Sequence, residues 1–300
     1  MKSSESSALF IKLLLNKYCG NSASQVMTLA PEEMQKEIGT SSSSSVKPES
    51  LLFPSEIFFH MHYSWLEAVV ESLPAPIRPC FIAALPPEVA KRLYAVYQLS
   101  ELQRAYSPQV QNFLLHILST HFDKSTPRSL LEPSSLDALL DCSKAELVLM
   151  VDLLAMYDLA EEIRYIVDKR ILQGVLMQLS PQQQRYLKVV LHKQTSRIGA
   201  PLLAHKLYQD KQRFVKELHK RGLEHFARAL SNESVDFIWH VAHILDRGRG
   251  KIIMSIAEQK AKERSAAQDM SKPDQMILTA QQRVRELLQL LTREREASHG

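Results

Sequence analysis

An all-α fold, with irregular multi-helix packing and flexible termini, is predicted for this chain of 300 residues on three grounds. Apolar residues recur at the 3.6-residue helical period along most of its length. Proline, serine and acidic residues stand at the starts of these runs, where helix caps belong. Glycine is scarce, at eight residues, too few for an all-β or a doubly wound architecture. Four stretches follow: an N-terminal segment at 1–55, a helical subdomain at 56–125, a second at 134–260, and an amphipathic helix at 276–297.

In the first segment, 8–18 and 31–39 read as short helices, and the serine run at 40–45 belongs to a disordered linker over 39–55. The first subdomain is organised around 60–93, which prolines at 74, 76, 79, 86 and 87 divide into short helices with hard corners. Helices are expected at 65–73 and 77–84. A third starts at Pro87 and presents Val89, Ala90, Leu93, Val96 and Tyr97 on one face. Ser107 caps the next helix, with Pro108 in its first turn and a stripe of Val110, Phe113, Leu114, Ile117 and Leu118. The loop at 123–133 is the expected boundary between subdomains.

The second half is helix after helix. Ser134-x-x-Asp137 and Ser143-x-x-Glu146 are capping boxes. Helix 144–156 is apolar nearly all round, the mark of a central core helix. A long helix is expected at 158–179, with Gly174 inside it, and Ser180-Pro181 opens the next. Gly199-Ala200-Pro201 breaks the chain, Gly222 ends a helix at 202–221, and a helix at 234–246 presents Val235, Ile238, Trp239, Ala242 and Leu245. Thr279-x-x-Gln282 caps the last helix, whose stripe of Val284, Leu287, Leu288 and Leu291 is narrow enough to be a seam for one partner helix.

Charge is mild overall, at +4, but uneven. Eight acids face three bases over 32–88, and ten bases face three acids over 185–225, which favours an acidic partner for the second half or the two halves facing each other. Three widely spaced cysteines without a CxxC (Cys19, Cys80, Cys142) fit free thiols in a reducing compartment. No apolar run approaches the length of a membrane-spanning helix, and 8–15 lacks the cleavage site of a secretory signal. No nucleophile elbow, phosphate loop, HExxH or dinucleotide fingerprint is present. His240, His243 and Asp246 share a helix face and offer three metal ligands; histidines held by hydrogen bonds are the preferred reading, and no cofactor or metal is expected. Over 246–251, Arg247 and Arg249 alternate with Gly248 and Gly250. The glycines either stop a helix at Gly248 or present amides to an anion, and the two arginines are expected on an acidic surface.

His62-Tyr63-Ser64-Trp65-Leu66, followed by a short helix and a proline break, resembles the His-x-Ser-Trp-Leu signature of SctK-type proteins, accessory subunits of the cytoplasmic sorting platform of bacterial type III secretion systems. Ala84-Leu85-Pro86-Pro87-Glu88-Val89-Ala90 is similar to the Leu-Pro-Pro-Glu-x-Ala turn of FliG-type flagellar rotor proteins, and the Leu-Asp-x-Gly-Arg-Gly-like run at 245–250 after a Trp-containing helix adds to the first likeness. The resemblance implies a non-enzymatic adaptor, in the bacterial cytoplasm against the inner-membrane secretion base, docking on ring or spoke subunits. Tyr63, Trp65 and Leu66 form its expected apolar anchor, or else a buried elbow. Val284, Leu287, Leu288 and Leu291 would hold a partner helix or a second copy of the chain. The serine-rich start is an ordinary disordered terminus or resembles the export signal of a type III effector. Two rivals stand beside the adaptor: a secreted effector or its chaperone-like partner, and a basic helical nucleic-acid-binding protein using 185–225.

Overall fold

Caps and prolines set the helix boundaries seen in the computed structural model, which describes residues 55–102, 106–122, 126–193, 201–266 and 275–299 and the pairs 27–28 and 35–36. The described residues are all-α: thirteen α-helices and a few 3₁₀ turns, with no strand among them. None of these helices is long and apolar enough to cross a membrane. The expected helix at 8–18 and the serine run lie outside the described residues, as do the helix at 31–39 apart from residues 35–36 and the linker apart from Ser55, which begins a helix. The chain divides into two units, Met1–Leu131 and Glu132–Gly300.

In the first unit, α1 (Ser55–His60), α2 (Glu67–Ser72), α3 (Arg78–Ala84), α4 (Pro87–Tyr97) and α5 (Pro108–Ser119) enclose Phe58, Leu66, Val70, Ile82, Leu93 and Leu118, each fully buried. Trp65 closes a 3₁₀ turn, and α2 starts only after it. On α4, Tyr94 is buried in place of Val96, which is exposed. Burial suits the tyrosine because its hydroxyl donates to the Pro79 carbonyl at 3.0 Å. Ser107 caps α5 as expected, accepting from the Val110 N–H. The expected stripe of α5 holds only in part: Leu118 is buried and Leu114 and Ile117 are half-buried, but Val110 and Phe113 are exposed and Leu115 is buried instead. Gln111 sets the rotation, since its side-chain amide donates to the Ala84 carbonyl at 2.9 Å.

In the second unit, α6 (Lys144–Ile163) is the central helix, packed against α8 (Pro181–Leu191), α10 (Lys211–Leu230) and α13 (Gln275–His299). It begins at the Ser143/Glu146 capping box and buries residues on every face. Ser134 and Asp137 open no α-helix: Asp137 accepts the Ser134 N–H and Ser134 the Leu136 N–H, in the turn that leads into a 3₁₀ turn at Asp137–Leu139. The helix expected at 158–179 is two helices: α6 stops at Ile163, and α7 (Lys169–Met177) restarts where Asp168 accepts the Arg170 N–H. The helix expected at 202–221 is likewise divided into α9 (Ala204–Leu207) and α10, with Asp210 capping the second. Gly222 does not end a helix. It is buried inside α10, where a Cβ would overlap the Val151 carbonyl, so the missing side chain lets α10 cross α6 at close range. Ser234 caps α11 (Val235–Ile244), and α12 (Arg247–Ala266) follows at once.

The C-terminal helix α13 starts at Gln275. Thr279 lies inside it, its hydroxyl donating to the Gln275 carbonyl at 2.7 Å, and does not cap it. Val284, Leu287, Leu288 and Leu291 are buried, and α13 packs on α6 and α10. The seam expected to hold a partner helix is therefore closed by the chain's own core. Polar clamps fix α13 in place. Arg295 donates to both oxygens of Glu146, holding that carboxyl down at about 2. Glu286 takes Lys193 at 2.7 Å and the Tyr157 hydroxyl at 3.3 Å. The Arg283 guanidinium lies 4.3 Å from the centre of the Tyr157 ring.

Candidate functional site

The residues singled out in the sequence do not converge on one place. Leu66 is fully buried and serves the core of the first unit. Tyr63 and Trp65 are half-buried around it. The His62 side chain caps this elbow, its Nδ1 meeting the Ser64 hydroxyl at 2.9 Å and the Ser64 N–H at 3.3 Å, while its ring lies 4.4 Å from that of Tyr63. The His-x-Ser-Trp-Leu run thus has a structural job here: His62 and Ser64 shape the turn and Leu66 anchors it.

Arg249 is engaged inside the chain. Its guanidinium bonds Asp246, and its Nε–H donates to His219 Nε2 at 2.8 Å. His219 Nε2 must accept from that arginine, so Nδ1 carries the proton and donates to Asp152 at 2.6 Å. Lys144 completes the row, 3.7 Å from Asp246. The row ties α6, α10 and α12 together and leaves neither nitrogen of His219 open for proton transfer. The acidic contact expected of Arg249 is thus the chain's own Asp246; Arg247 lies half-buried in the first turn of α12. Gly248 is helical and stops nothing. The Arg249 and Gly250 amides are taken by the Asp246 side chain and carbonyl, at 3.2 and 2.9 Å, so they cradle no anion.

His240 and His243 are buried against Trp239. His243 stacks on the indole at 3.8 Å and donates from Nδ1 to the Trp239 carbonyl at 2.7 Å, and burial pushes its pKa down to about 4. Among the described residues no group of three or more His, Cys, Asp or Glu side chains is placed to hold a metal ion. Burial pushes the Cys142 thiol up to about 11, far from the range of a nucleophile.

The second unit carries an open apolar groove that periodicity does not reveal. Its volume is about 460 Å³, and Tyr165, Ile166, Val167, Ile171, Pro201 and Leu203 supply its apolar walls. The floor is continuous with the core, since Ile166 and Ile171 pack on the cluster around Leu159, Val175 and Leu187. The rim is exposed: Tyr165 keeps 81% of its surface in solvent and Val167 94%. Single exposed apolar residues are ordinary, but several around one concavity mark a binding surface.

Glu162 builds the far wall. Its carboxylate accepts the backbone N–H groups of Leu202, Leu203 and Ala204, the last two at 3.2 and 2.9 Å. That grip holds Leu203 in the left-handed region, at φ 58°, a conformation that costs a branched residue about 1–2 kcal/mol. Leu202 and Ala204 are anchored in the core on either side, so Leu203 is turned outward onto the groove. Gly174 sets the spacing of α7 and α9: a Cβ there would overlap the Tyr208 ring, and Gln178 donates to the Tyr208 carbonyl at 2.9 Å. The sequence signal for the groove is the apolar Tyr165-Ile166-Val167 between the charged Arg164 and Asp168, which sits where the expected 158–179 helix is interrupted.

The chain matches no protein-family model, no curated protein and no solved structure.

Proposed function

We propose that this chain is a non-enzymatic docking subunit, an adaptor of the SctK type in the cytoplasmic sorting platform of a type III secretion system, whose partners are ring or spoke subunits. The observation that carries the docking reading is the apolar groove of the second unit, where Tyr165 and Val167 stand exposed beside a cavity of about 460 Å³. Apolar surface gathered around a concavity and left in water favours a partner that covers it. The polar rows elsewhere support the same reading, since His219, Arg249 and Asp246 bind one another and Glu162 binds backbone. The platform assignment rests on the resemblance of residues 62–66, with the run that follows the Trp239 helix beside it.

A photo-crosslinking residue at Val167 of the full chain, expressed in a bacterium that builds a type III system, tests it. The expected adducts are cytoplasmic ring or spoke subunits. Adducts confined to proteins outside the secretion system would sink the platform assignment. Export of the intact chain into the medium would favour the effector reading, and salt-sensitive DNA binding would favour the nucleic-acid reading.

A further inference from the structure

The groove is apolar within, and exposed cations sit next in the chain to three of its lining residues, Asp168, Ile171 and His205. Lys169 and Arg170 stand exposed in the first turn of α7, and Lys206 on α9, the two helices that flank the groove; none of the three lines it directly. None of Lys169, Arg170 and Lys206 forms an ion pair with a carboxylate among the described residues. The acids close by are mostly spent within the chain: Glu161 pairs with Arg164, and Glu162 holds three backbone amides. Asp168 uses one oxygen to cap α7 at 2.7 Å and is the carboxylate left at the rim. The polar lining is sparse: Glu162 is taken by backbone amides, which leaves one oxygen of Asp168 and the His205 ring beside six apolar residues.

We infer that the groove takes the apolar side chains of an acidic amphipathic segment of a protein partner, with the partner's carboxylates meeting Lys169, Arg170 and Lys206. The inference rests on the docking reading and supplies the chemistry of what docks. The apolar walls provide affinity, and the cationic rim selects the partner by charge and speeds its approach. Leu203 is the built-in element: Glu162 forces it to face outward before any partner arrives, which spares the ordering that a flexible loop would need on binding.

The test selects binders from a displayed library of random 16-residue peptides on the full chain, then measures the most enriched synthetic peptide by fluorescence anisotropy. The expected peptides carry apolar residues at helical spacing with Asp and Glu on the other faces. Val167→Asp, at a site too exposed to harm folding, is expected to weaken the selected peptide at least tenfold. The pair Lys169→Glu and Arg170→Glu is expected to weaken it by a similar factor and to flatten its salt dependence. Enriched peptides that are basic or neutral would overturn the inference. So would acidic peptides that bind the Val167→Asp chain unchanged, or a library that yields no binder. A dimer of the full chain that Val167→Asp dissolves would replace the partner with a second copy and also overturn it. The broader docking reading fails separately, if crosslinks from both Val167 and Tyr63 capture nothing.

Discussion

Gly222 and Gly248 both lie in helices, yet alanine should act on them in opposite directions. In a helix interior, Gly→Ala gains about 1 kcal/mol from backbone propensity. At Gly222 the new methyl would overlap the Val151 carbonyl, a backbone atom that cannot rotate aside, and such overpacking costs about 1–3 kcal/mol or more. Gly222→Ala is therefore expected to lower the urea midpoint of the second unit. At Gly248 the methyl meets only Asp246 Oδ1 at 3.4 Å, so Gly248→Ala should be neutral or stabilising by up to about 1 kcal/mol. A stable Gly222→Ala protein would show that α6 and α10 do not cross at this glycine. His243 supplies a pH dependence at the same scale. Its pKa falls from 6.5 to about 4 on burial, so between these values the unfolded chain binds the proton that the native site refuses. Stability should be unaffected by this group above about pH 6.5 and should decline as pH falls toward 4, by roughly 2 kcal/mol at pH 5. Urea unfolding at pH 7 and pH 5 should show a smaller difference for His243→Gln than for the parent chain.

Helix α13 shows why a hydrophobic stripe by itself does not identify its partner. Val284, Leu287, Leu288 and Leu291 have the spacing of a coiled-coil seam, and the sequence says nothing of whether the opposing surface belongs to the same chain. The clamps decide it: Arg295 on Glu146 and Glu286 on Lys193 hold the helix to its own unit. Leu287→Ala is accordingly expected to destabilise the second unit by about 2–5 kcal/mol, as for other buried leucines. Leu287→Asp should prevent its folding. A Leu287→Asp protein with an unchanged melting curve would return the stripe to the surface and reopen it to partners. Several helix starts were legible in advance because capping is local chemistry, and Ser107, Ser143, Ser180 and Ser234 each cap a helix, whereas Thr279 lies inside α13 and the starts of α7 and α10 were missed. Helix ends and faces were not. Gly222 looks like a terminator until the neighbouring helix is known, and the rotation of α5 depends on an acceptor 27 residues away at Ala84. The groove was illegible for the same reason. It needs α7, α9 and the loop between α6 and α7 brought together, and Glu162 reaches forward 40 residues to hold its far wall.

At the scale of the whole chain, each unit has its own core and its own tryptophan. Trp65 lies half-buried in the first, and Trp239 is buried in the second, stacked on His243. A unit of about 170 residues is long enough to bury some 70% of the surface its unfolded chain exposes. Its central helix α6 is covered by α8, α10 and α13, all drawn from residues after 143. Residues 132–300 alone are therefore expected to fold. The fragment contains Trp239 as its sole tryptophan, so its emission reports on that core without the Trp65 signal. It should fluoresce toward the blue in buffer, show a strongly helical far-UV spectrum, and unfold in urea in one sigmoidal step seen alike by both probes. Emission already shifted to the red in buffer would mean that Trp239 is wet and that the core needs residues before 132. Non-coincident transitions would mean that α13 or α11 leaves before α6 and α10 part. Lowering the pH toward 4 should bring the midpoint down through His243, and a midpoint that does not move would place that imidazole in water rather than against the indole.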